Sequence, residues 1–561
     1  MDYKTNFDLW KENVKDTELL TELNSLTEEE REESFYKNLE FGTGGLRGVI
    51  GVGTNRMNIY TVMKASQGYA NYLRNNNKKS VGIAYDSRNK STLFAKKAAE
   101  VFAANGIKVY IYKELMPTPM LSFAVRELSL DGGIVITASH NPAKYNGYKV
   151  YGEDGCQITD TVANGILNEI EKIDIFSSIK NIDFEKAKEE GKIEYISDDM
   201  LEVYMNYAFC RTLHKSYVPK ELKIVYTPLN GTGLKPVTKI LAKAGYKNIL
   251  IPKEQEMPDG NFTTCKKPNP EEEAALTLAI NLAKENDFDV VLATDPDCDR
   301  VGVAVKDGTK YKLISGNEMG VLLLNYICET TKLPNNPIAI KTIVTTDMAE
   351  KIAKNYGIEI INVLTGFKYI GEQIGYLEEK HELDRYIFGF EESYGYLTHT
   401  KARDKDAIDT SLTICEMINY YKVQGKSLVK VLNELYEKYG YFNQKLKSFE
   451  FTGVDGSDKM NKVVDTLRAN PLNTIVGDNL IVKEDYKVSE KDYVDGKVEK
   501  ITLPKSNVIK LIFENDVSVT VRPSGTEPKL KLYYSVKGQD ESNAESLMNG
   551  VISGFEKYLG L

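Results

Sequence analysis

At 561 residues the chain is too long for one core and predicts about three to five domains, and its 42% apolar and 27% charged residues are ordinary for a globular protein. The formal net charge of -9 excludes general affinity for nucleic acid or anionic membrane, so any phosphate site has to be a local basic pocket. No apolar run nears the roughly 18 residues of a membrane span. The polar amino terminus and six cysteines scattered without CxxC spacing predict a cytoplasmic protein with reduced thiols.

Residues 1–40 are charged and helix-prone, with Thr27-Glu28-Glu29-Glu30 reading as a helix start, and are expected to pack on the domain that follows. Phe41-Gly42-Thr43-Gly44-Gly45-Leu46-Arg47-Gly48 is a glycine-rich turn whose NH groups can form an anion nest, with Arg47 as a bidentate phosphate donor. It lacks the Gly-Lys-Ser/Thr ending of a nucleotide loop. The pattern then alternates: helix over 60–73, strand 81–85, helix 93–103, strand 107–112, and a β-branched run at 134–137. Such alternation predicts right-handed βαβ units and a mostly parallel sheet. The last strand runs into Thr137-Ala138-Ser139-His140-Asn141-Pro142, stopped by Asn141-Pro142, and ligands bind at the carboxyl ends of such strands. Ser139 beside His140, with Asn146, Gly147 and Lys149 following, fits an activated hydroxyl near a cation. Taken alone, it fits a serine capping a tight turn as well.

A second unit comprises strand 222–226, the turn Pro228-Leu229-Asn230-Gly231-Thr232-Gly233, a helix, strand 249–251 and strand 290–293. It ends at Asp295-Pro296-Asp297-Cys298-Asp299-Arg300, where three carboxylates alternate within five residues. In an extended segment they share one face, and a hard divalent cation can draw them together. A calcium-binding EF-hand is excluded, because Arg300 and Lys306 stand where that loop needs Gly and Glu. A third unit (338–344, helix 348–356, 358–364, 386–390) ends in Gly389-Phe390-Glu391-Glu392-Ser393-Tyr394-Gly395. Thr365-Gly366-Phe367-Lys368 precedes that loop and Arg403-Asp404-Lys405-Asp406 follows it. Three units of like grammar, each with one reactive loop, predict three similar α/β domains facing a shared cleft, or else three unrelated ones.

After a helical stretch at 410–439 the character changes to α+β. Strands 508–513 and 517–521 flank the hairpin signal Glu514-Asn515-Asp516, and the second opens into Arg522-Pro523-Ser524-Gly525-Thr526-Glu527-Pro528. Strand 530–536 follows, and the chain closes on a helix whose Ala544, Leu547, Met548, Val551, Ile552 and Phe555 keep core spacing. Arg522, Ser524, Gly525 and Thr526 form a compact set of phosphate-oxygen donors, or an ordinary turn.

Four of these motifs, Thr137 to Pro142, Asp295 to Arg300, Gly389 to Gly395 and Arg522 to Thr526, stand in the order found in the α-D-phosphohexomutase superfamily. The chain resembles that superfamily over roughly residues 41–535, and most of all its bacterial phosphoglucomutase and phosphopentomutase branch with an amino-terminal extension. The resemblance implies three similar α/β domains with mixed sheets plus a carboxyl-terminal α+β domain around a central cleft. The implied bounds are an extension at 1–40 and domains at 41–208, 209–318, 319–440 and 441–561. It implies Mg²⁺ held by phosphorylated Ser139 with Asp295, Asp297 and Asp299, and His140, Lys149 and Lys405 at the acid–base positions. Arg47 and Arg300 would steady the transferring phosphoryl group.

By the same resemblance, Glu391 and Ser393 take the sugar hydroxyls, Thr365, Gly366, Lys368 and Arg403 line the substrate site, and Arg522, Ser524, Gly525 and Thr526 grip the phosphate that is not reacting. The implied activity interconverts glucose 1-phosphate and glucose 6-phosphate through a 1,6-bisphosphate, with glucose 1,6-bisphosphate as activator. Phosphomannomutase and phosphopentomutase activities are the near alternatives, and Tyr394-Gly395-Tyr396 leaves the sugar open. A phosphatase would lack the separate phosphate grip, a kinase would carry a nucleotide loop, and a non-catalytic sensor would have lost Ser139 or an aspartate. The expected partners are small sugar phosphates alone.

Overall fold

The structure, a computed structural model, describes residues 2–42, 44–210, 220–451, 456–524 and 529–561. Three short helices open it, Tyr3–Asn13, Thr17–Ser25 and Glu28–Phe35, capped by Asp2, Asp16 and Thr27. The helix start expected at Thr27 is present, and Thr27 forms a reciprocal capping box with Glu30 there. Their apolar stripe, Phe7, Trp10, Leu23 and Phe35, closes over Val52, Tyr60 and Phe176, which docks the extension on the first sheet's domain.

Strand Gly132–Ile136 lies in the middle of that sheet. Ser80–Tyr85, Lys108–Ile111 and Ile193–Tyr195 run parallel to it on one side. On the other side Tyr145–Gly152, Gly45–Val49 and Phe41–Gly42 follow, each pairing antiparallel with the strand before it. The sheet is therefore mixed, and the expectation of a mostly parallel one holds for one half only. The antiparallel half is hard to see because Tyr145–Gly152 contains Asn, Gly and Lys in place of a β-branched run. Its Gly147 is required by close approach, since a Cβ there would lie 2.4 Å from the Thr137 carbonyl oxygen.

The second sheet orders Lys310–Ile314, Val301–Asp307, Val290–Thr294, Ile224–Thr227 and Ile249–Leu250, the first two strands being antiparallel additions. The third orders Glu359–Val363, Ile338–Thr342, Tyr386–Glu391 and Gly395–Leu397. The predicted helical stretch at 410–439 is two helices, Ala407–Val423 and Leu428–Tyr439, parted at Gly425 with φ of 72°. The last sheet is antiparallel and packs on the closing helix Glu541–Leu559 through Met548, Val551 and Phe555. The fold is thus three α/β domains with mixed sheets and a carboxyl-terminal α+β domain.

One apolar core runs unbroken from Met120 and Tyr151 of the first domain through Leu292 and Val303 of the second to Phe388 and Tyr396 of the third. Side-chain alternation makes this possible: Ile134 and Ile136 face the first domain's private core, while Val135 faces the shared one. The last domain keeps its own core and meets the third through a small patch of Ile343, Leu364, Tyr486 and Val508. Among the described residues no helix is long and apolar enough to cross a membrane, and all six cysteines are free thiols.

Candidate active site

Ser139 caps the central strand of the first sheet at φ of 52°, a left-handed conformation that costs a non-glycine residue about 1–2 kcal/mol. Its backbone NH donates to Thr137 Oγ1 at 2.8 Å. Arg88 holds the turn from beneath, with Nη2 donating to the carbonyls of Ser139 (2.5 Å) and Asn141, and Nη1 to those of Pro142 and Tyr145 (3.0 Å each). Asp86, 3.3 Å from Arg88 Nε, also accepts from Thr137 Oγ1 and Ser91 Oγ at 2.7 Å. The serine hydroxyl is thus aimed rather than free: Oγ donates to Asp295 Oδ2 at 2.8 Å and lies 3.2 Å from His140 Nδ1. Burial, with the Arg300 and Arg47 charges behind it, pushes the His140 imidazole well below its usual pKa and keeps it neutral.

The aspartates do converge, though not as an extended strand. Residues 295–300 form a turn in which Cys298 NH donates to the Asp295 carbonyl at 2.9 Å and Cys298 takes φ of 53°. Pro296 and the positive φ make alternation irrelevant; the turn itself gathers the carboxylates, whose oxygens lie within 4.8 Å of one another. Gly231 of the neighbouring turn supports it from behind, where a Cβ would stand 2.4 Å from Pro296 Cα. Thr232 adds two bonds to the Pro296 carbonyl, from NH at 2.8 Å and Oγ1 at 2.9 Å.

All three carboxylates are buried, at 1% exposure or less. Asp297 Oδ2 accepts from Lys149 Nζ at 2.8 Å and from Thr118 Oγ1 at 2.8 Å. Asp299 Oδ2 lies 3.1 Å from Lys149 Nζ and 3.3 Å from Lys405 Nζ. Burial alone would favour protonation of Asp299, but the Lys149 and Lys405 charges outweigh it and hold that carboxyl below the usual range. Asp295 goes the other way, raised by burial and by the like charges of Asp297 and Asp299. Asp297 Oδ1 and Asp299 Oδ1 are buried with no hydrogen-bond partner. Orphaned carboxylate oxygens are costly, so an all-oxygen cluster that leaves two of them unsatisfied fits a hard divalent cation.

Arg300 leaves the same turn to pair with Glu271 at 2.5 Å, and its backbone bridges to Gly395 of the third domain's loop. Lys149 and Lys405, from the first and third domains, therefore meet on the second domain's aspartates. Arg47, on strand Gly45–Val49, is exposed and close enough to His140 to act on its charge state.

A cleft of about 1290 Å³ lies among the first, third and last domains. Phe41 and Leu46 of the first domain, Thr365 and Lys368 of the third, and Arg522 and Ser524 of the last lie on its wall. The serine and the aspartates are not on that wall; they form a closed polar knot. Lys368 Nζ donates to Asp160 at 2.8 Å, Gly366 supplies the positive φ (125°) that starts helix Phe367–Glu379, and Thr365 Oγ1 is buried without a partner. Glu391 ends strand Tyr386–Glu391, buried at 4% exposure, and Ser393 lies in the turn after it. Gly525 and Thr526 lie outside the described residues, as does Thr43.

Arg403 requires a correction. Its side chain is fully buried, with Nε donating to the Thr400 carbonyl at 2.9 Å and Nη2 to Glu378 at 2.8 Å. It fastens the 400–406 loop to the third domain and has no surface to offer a sugar. Residues that sequence reasoning missed include Arg88, Thr118 and Lys531. Lys531 lines the cleft in register with Arg522, and burial together with the Arg522 charge lowers its pKa. The only signal for Arg88 was its place just past a strand's carboxyl end.

Comparison with known proteins shows four matches in order. The descriptions are phosphoglucomutase/phosphomannomutase alpha/beta/alpha domain I at residues 38–175, domain II at 202–308, domain III at 315–439, and the C-terminal domain at 478–549. A phosphoglucomutase of Staphylococcus saprophyticus is 38% identical over 533 residues, 94% of this chain and 96% of that one. One from Staphylococcus aureus (strain USA300) is 35% identical over 555 residues, 97% and 98% of the two chains. Among solved structures, a phosphoglucomutase/phosphomannomutase family protein of Burkholderia thailandensis superposes with a TM-score of 0.67 at 18% identity, covering 92% of this chain and 97% of that one.

Proposed function

This chain belongs to the phosphoglucomutase/phosphomannomutase family, and on that premise we propose that it interconverts glucose 1-phosphate and glucose 6-phosphate through phosphorylated Ser139 and a 1,6-bisphosphate. The observation that carries the reading is the Ser139 hydroxyl bonded to Asp295 within a carboxylate cluster that has two unsatisfied oxygens. A serine so placed can accept and return a phosphoryl group, and phosphoryl transfer needs charge neutralisation and alignment more than any other help.

The substrate's own phosphate rests on Arg522, Ser524 and Lys531, with Gly525 and Thr526 assigned to the same grip by the resemblance. Glu391 and Ser393 take hydroxyls, and Lys368 adds positive charge on the opposite wall. The free sugar hydroxyl attacks phosphorus on Ser139: the sugar O–P bond forms, the Oγ–P bond breaks, and the sugar proton passes through neutral His140 to the departing Oγ, while the Lys149 and Lys405 ammonium groups supply positive charge. After the bisphosphate turns, Ser139 Oγ attacks the other phosphate, the Oγ–P bond re-forms as the second sugar O–P bond breaks, and the Oγ proton passes back through His140 to that sugar oxygen. Asp295, Asp297 and Asp299 would hold Mg²⁺, which would supply positive charge next to the transferring phosphoryl oxygens. Arg300 and Arg47 supply positive charge on either side, and glucose 1,6-bisphosphate would prime an unphosphorylated chain.

The test is a coupled assay over glucose 1-phosphate, mannose 1-phosphate and ribose 1-phosphate, with intact-mass mapping of Ser139. Glucose 1-phosphate should give the highest kcat/KM, and Ser139→Ala should lose about a thousandfold in rate. Near-normal turnover by that variant refutes the reading.

A further inference from the structure

Lys405 stands between two carboxylates of different kinds. One is Asp299 Oδ2 at 3.3 Å, inside the cation's donor set; the other is Asp404 Oδ1 at 3.1 Å, outside it. Lys149 has no such choice, because its carboxylate contacts, to Asp297 at 2.8 Å and Asp299 at 3.1 Å, both belong to the cluster. A cation drawn to Asp299 has to compete with both ammonium groups for the same oxygen.

Asp404 is held for this position. It is 2% exposed, its Oδ1 also accepts from Lys405 NH at 2.8 Å, and its Oδ2 accepts from the Tyr151 hydroxyl at 2.7 Å. Tyr151 lies two residues along strand Tyr145–Gly152 from Lys149, so the two side chains leave the same face. The packing agrees: Tyr151 enters the core shared by three domains, whereas Tyr148 and Val150 face the first domain's own core. The loop carrying Asp404 is tied to the first domain again by Arg403 NH, which donates to Ser122 Oγ at 2.8 Å.

We infer that Asp404, oriented by the Tyr151 hydroxyl, is a positioning residue that shares the Lys405 ammonium with Asp299 and so weakens its competition with a cation for that carboxylate. Without it, the whole Lys405 charge falls on Asp299 and acts as a built-in competitor of the metal. The inference rests on the mutase reading for what Lys405 does in turnover; its cation arm does not depend on that reading.

Mg²⁺ alone is titrated calorimetrically into dephosphorylated wild type, Asp404→Asn, Lys405→Met and the double variant. Asp404→Asn should bind about tenfold more weakly, the scale for an outer partner of a metal site. Lys405→Met should bind at least as tightly as wild type, and the double variant should match it. A loss that persists in the double variant, or no loss in Asp404→Asn, overturns the inference. Tyr151→Phe, which removes one oxygen from a buried ring, serves if Asp404→Asn does not fold. It should weaken Mg²⁺ binding in the same sense, reversibly by Lys405→Met, and lower kcat with KM unchanged. Wild-type Mg²⁺ affinity in Tyr151→Phe overturns the inference as well.

Discussion

Replacing Arg88 by Lys tests whether the serine loop's geometry is what makes Ser139 reactive. The guanidinium is buried at 3% exposure and reaches four carbonyls, those of Ser139, Asn141, Pro142 and Tyr145. An ammonium at the same place keeps a charge opposite Asp86 but is a single point, and cannot span carbonyls arranged around a planar fork. Losing two charge-assisted bonds costs about 1.5–3 kcal/mol each, hence about 3–6 kcal/mol before relaxation. The loop also has a reason to relax, since Ser139 is held at φ of 52°. Only the part of the loss that displaces the hydroxyl reaches the rate. We therefore expect kcat to fall about 10- to 100-fold, equivalent to about 1.4–2.8 kcal/mol. KM for glucose 1-phosphate should stay within about threefold, because the proposed phosphate and hydroxyl grips are on other loops. Steady-state kinetics with added glucose 1,6-bisphosphate, alongside the melting temperature, separates the two effects. A variant with a lowered melting temperature but full kcat would refute the reasoning, because the clamp would then hold the fold and not the nucleophile.

Asp297→Asn removes a charge from the cation cluster and weakens the Lys149 contact; kcat should drop about a hundredfold with little change in KM, and EDTA should abolish wild-type turnover until Mg²⁺ is restored. Arg522→Ala should raise KM and release glucose 1,6-bisphosphate during turnover, measured per cycle by chromatography; normal KM without release would move the phosphate grip elsewhere. Glu392 sets a pH dependence. Burial and the Glu391 charge push its carboxyl up to about 7, so the folded chain keeps a proton that the unfolded chain releases near the ordinary glutamate value. Stability should therefore fall as pH rises from about 4.5 to 7, by at most about 1.4 kcal/mol per unit. Glu392→Gln should have a melting temperature that gains on wild type across that window, and a constant offset would contradict the assignment.

The strands that carry the loops were legible because they are apolar runs with clear stops, such as 290–293 before Asp295 and 386–390 before Glu391. The antiparallel strand that brings Lys149 to the aspartates was not, since its pattern is set by close approach at Gly147 and by its two different neighbours. The aspartates were legible as a cation site by composition but not by conformation, because the turn around Pro296 and Cys298 depends on Gly231 and Thr232 more than sixty residues away. Arg403 was misread for a related reason: an arginine in a polar loop looks the same in sequence whether it faces the cleft or is buried on Glu378. Arg88 showed only by its place past a strand end, because its partners are carbonyls and backbone acceptors leave no mark on residue type.

The apolar core shared by three domains and the small patch that joins the fourth divide the molecule by stiffness. Chemistry of this kind needs a hydroxyl, a cation site and two lysines fixed to within fractions of an ångström, and all of these lie inside the block that shares one core. The proposed phosphate grip at Arg522 and Ser524 is carried by the other body, fastened through Ile343, Leu364, Tyr486 and Val508 and through ion pairs such as Lys351 with Asp516 at 3.1 Å. That apolar seam is small, and one glycine, Gly440 at φ of 104°, stands between helix Leu428–Tyr439 and strand Tyr441–Glu450. On the proposed mechanism, the seam would let the sugar be released at one end, turned and caught again while the block holding Ser139 and the aspartates stays fixed.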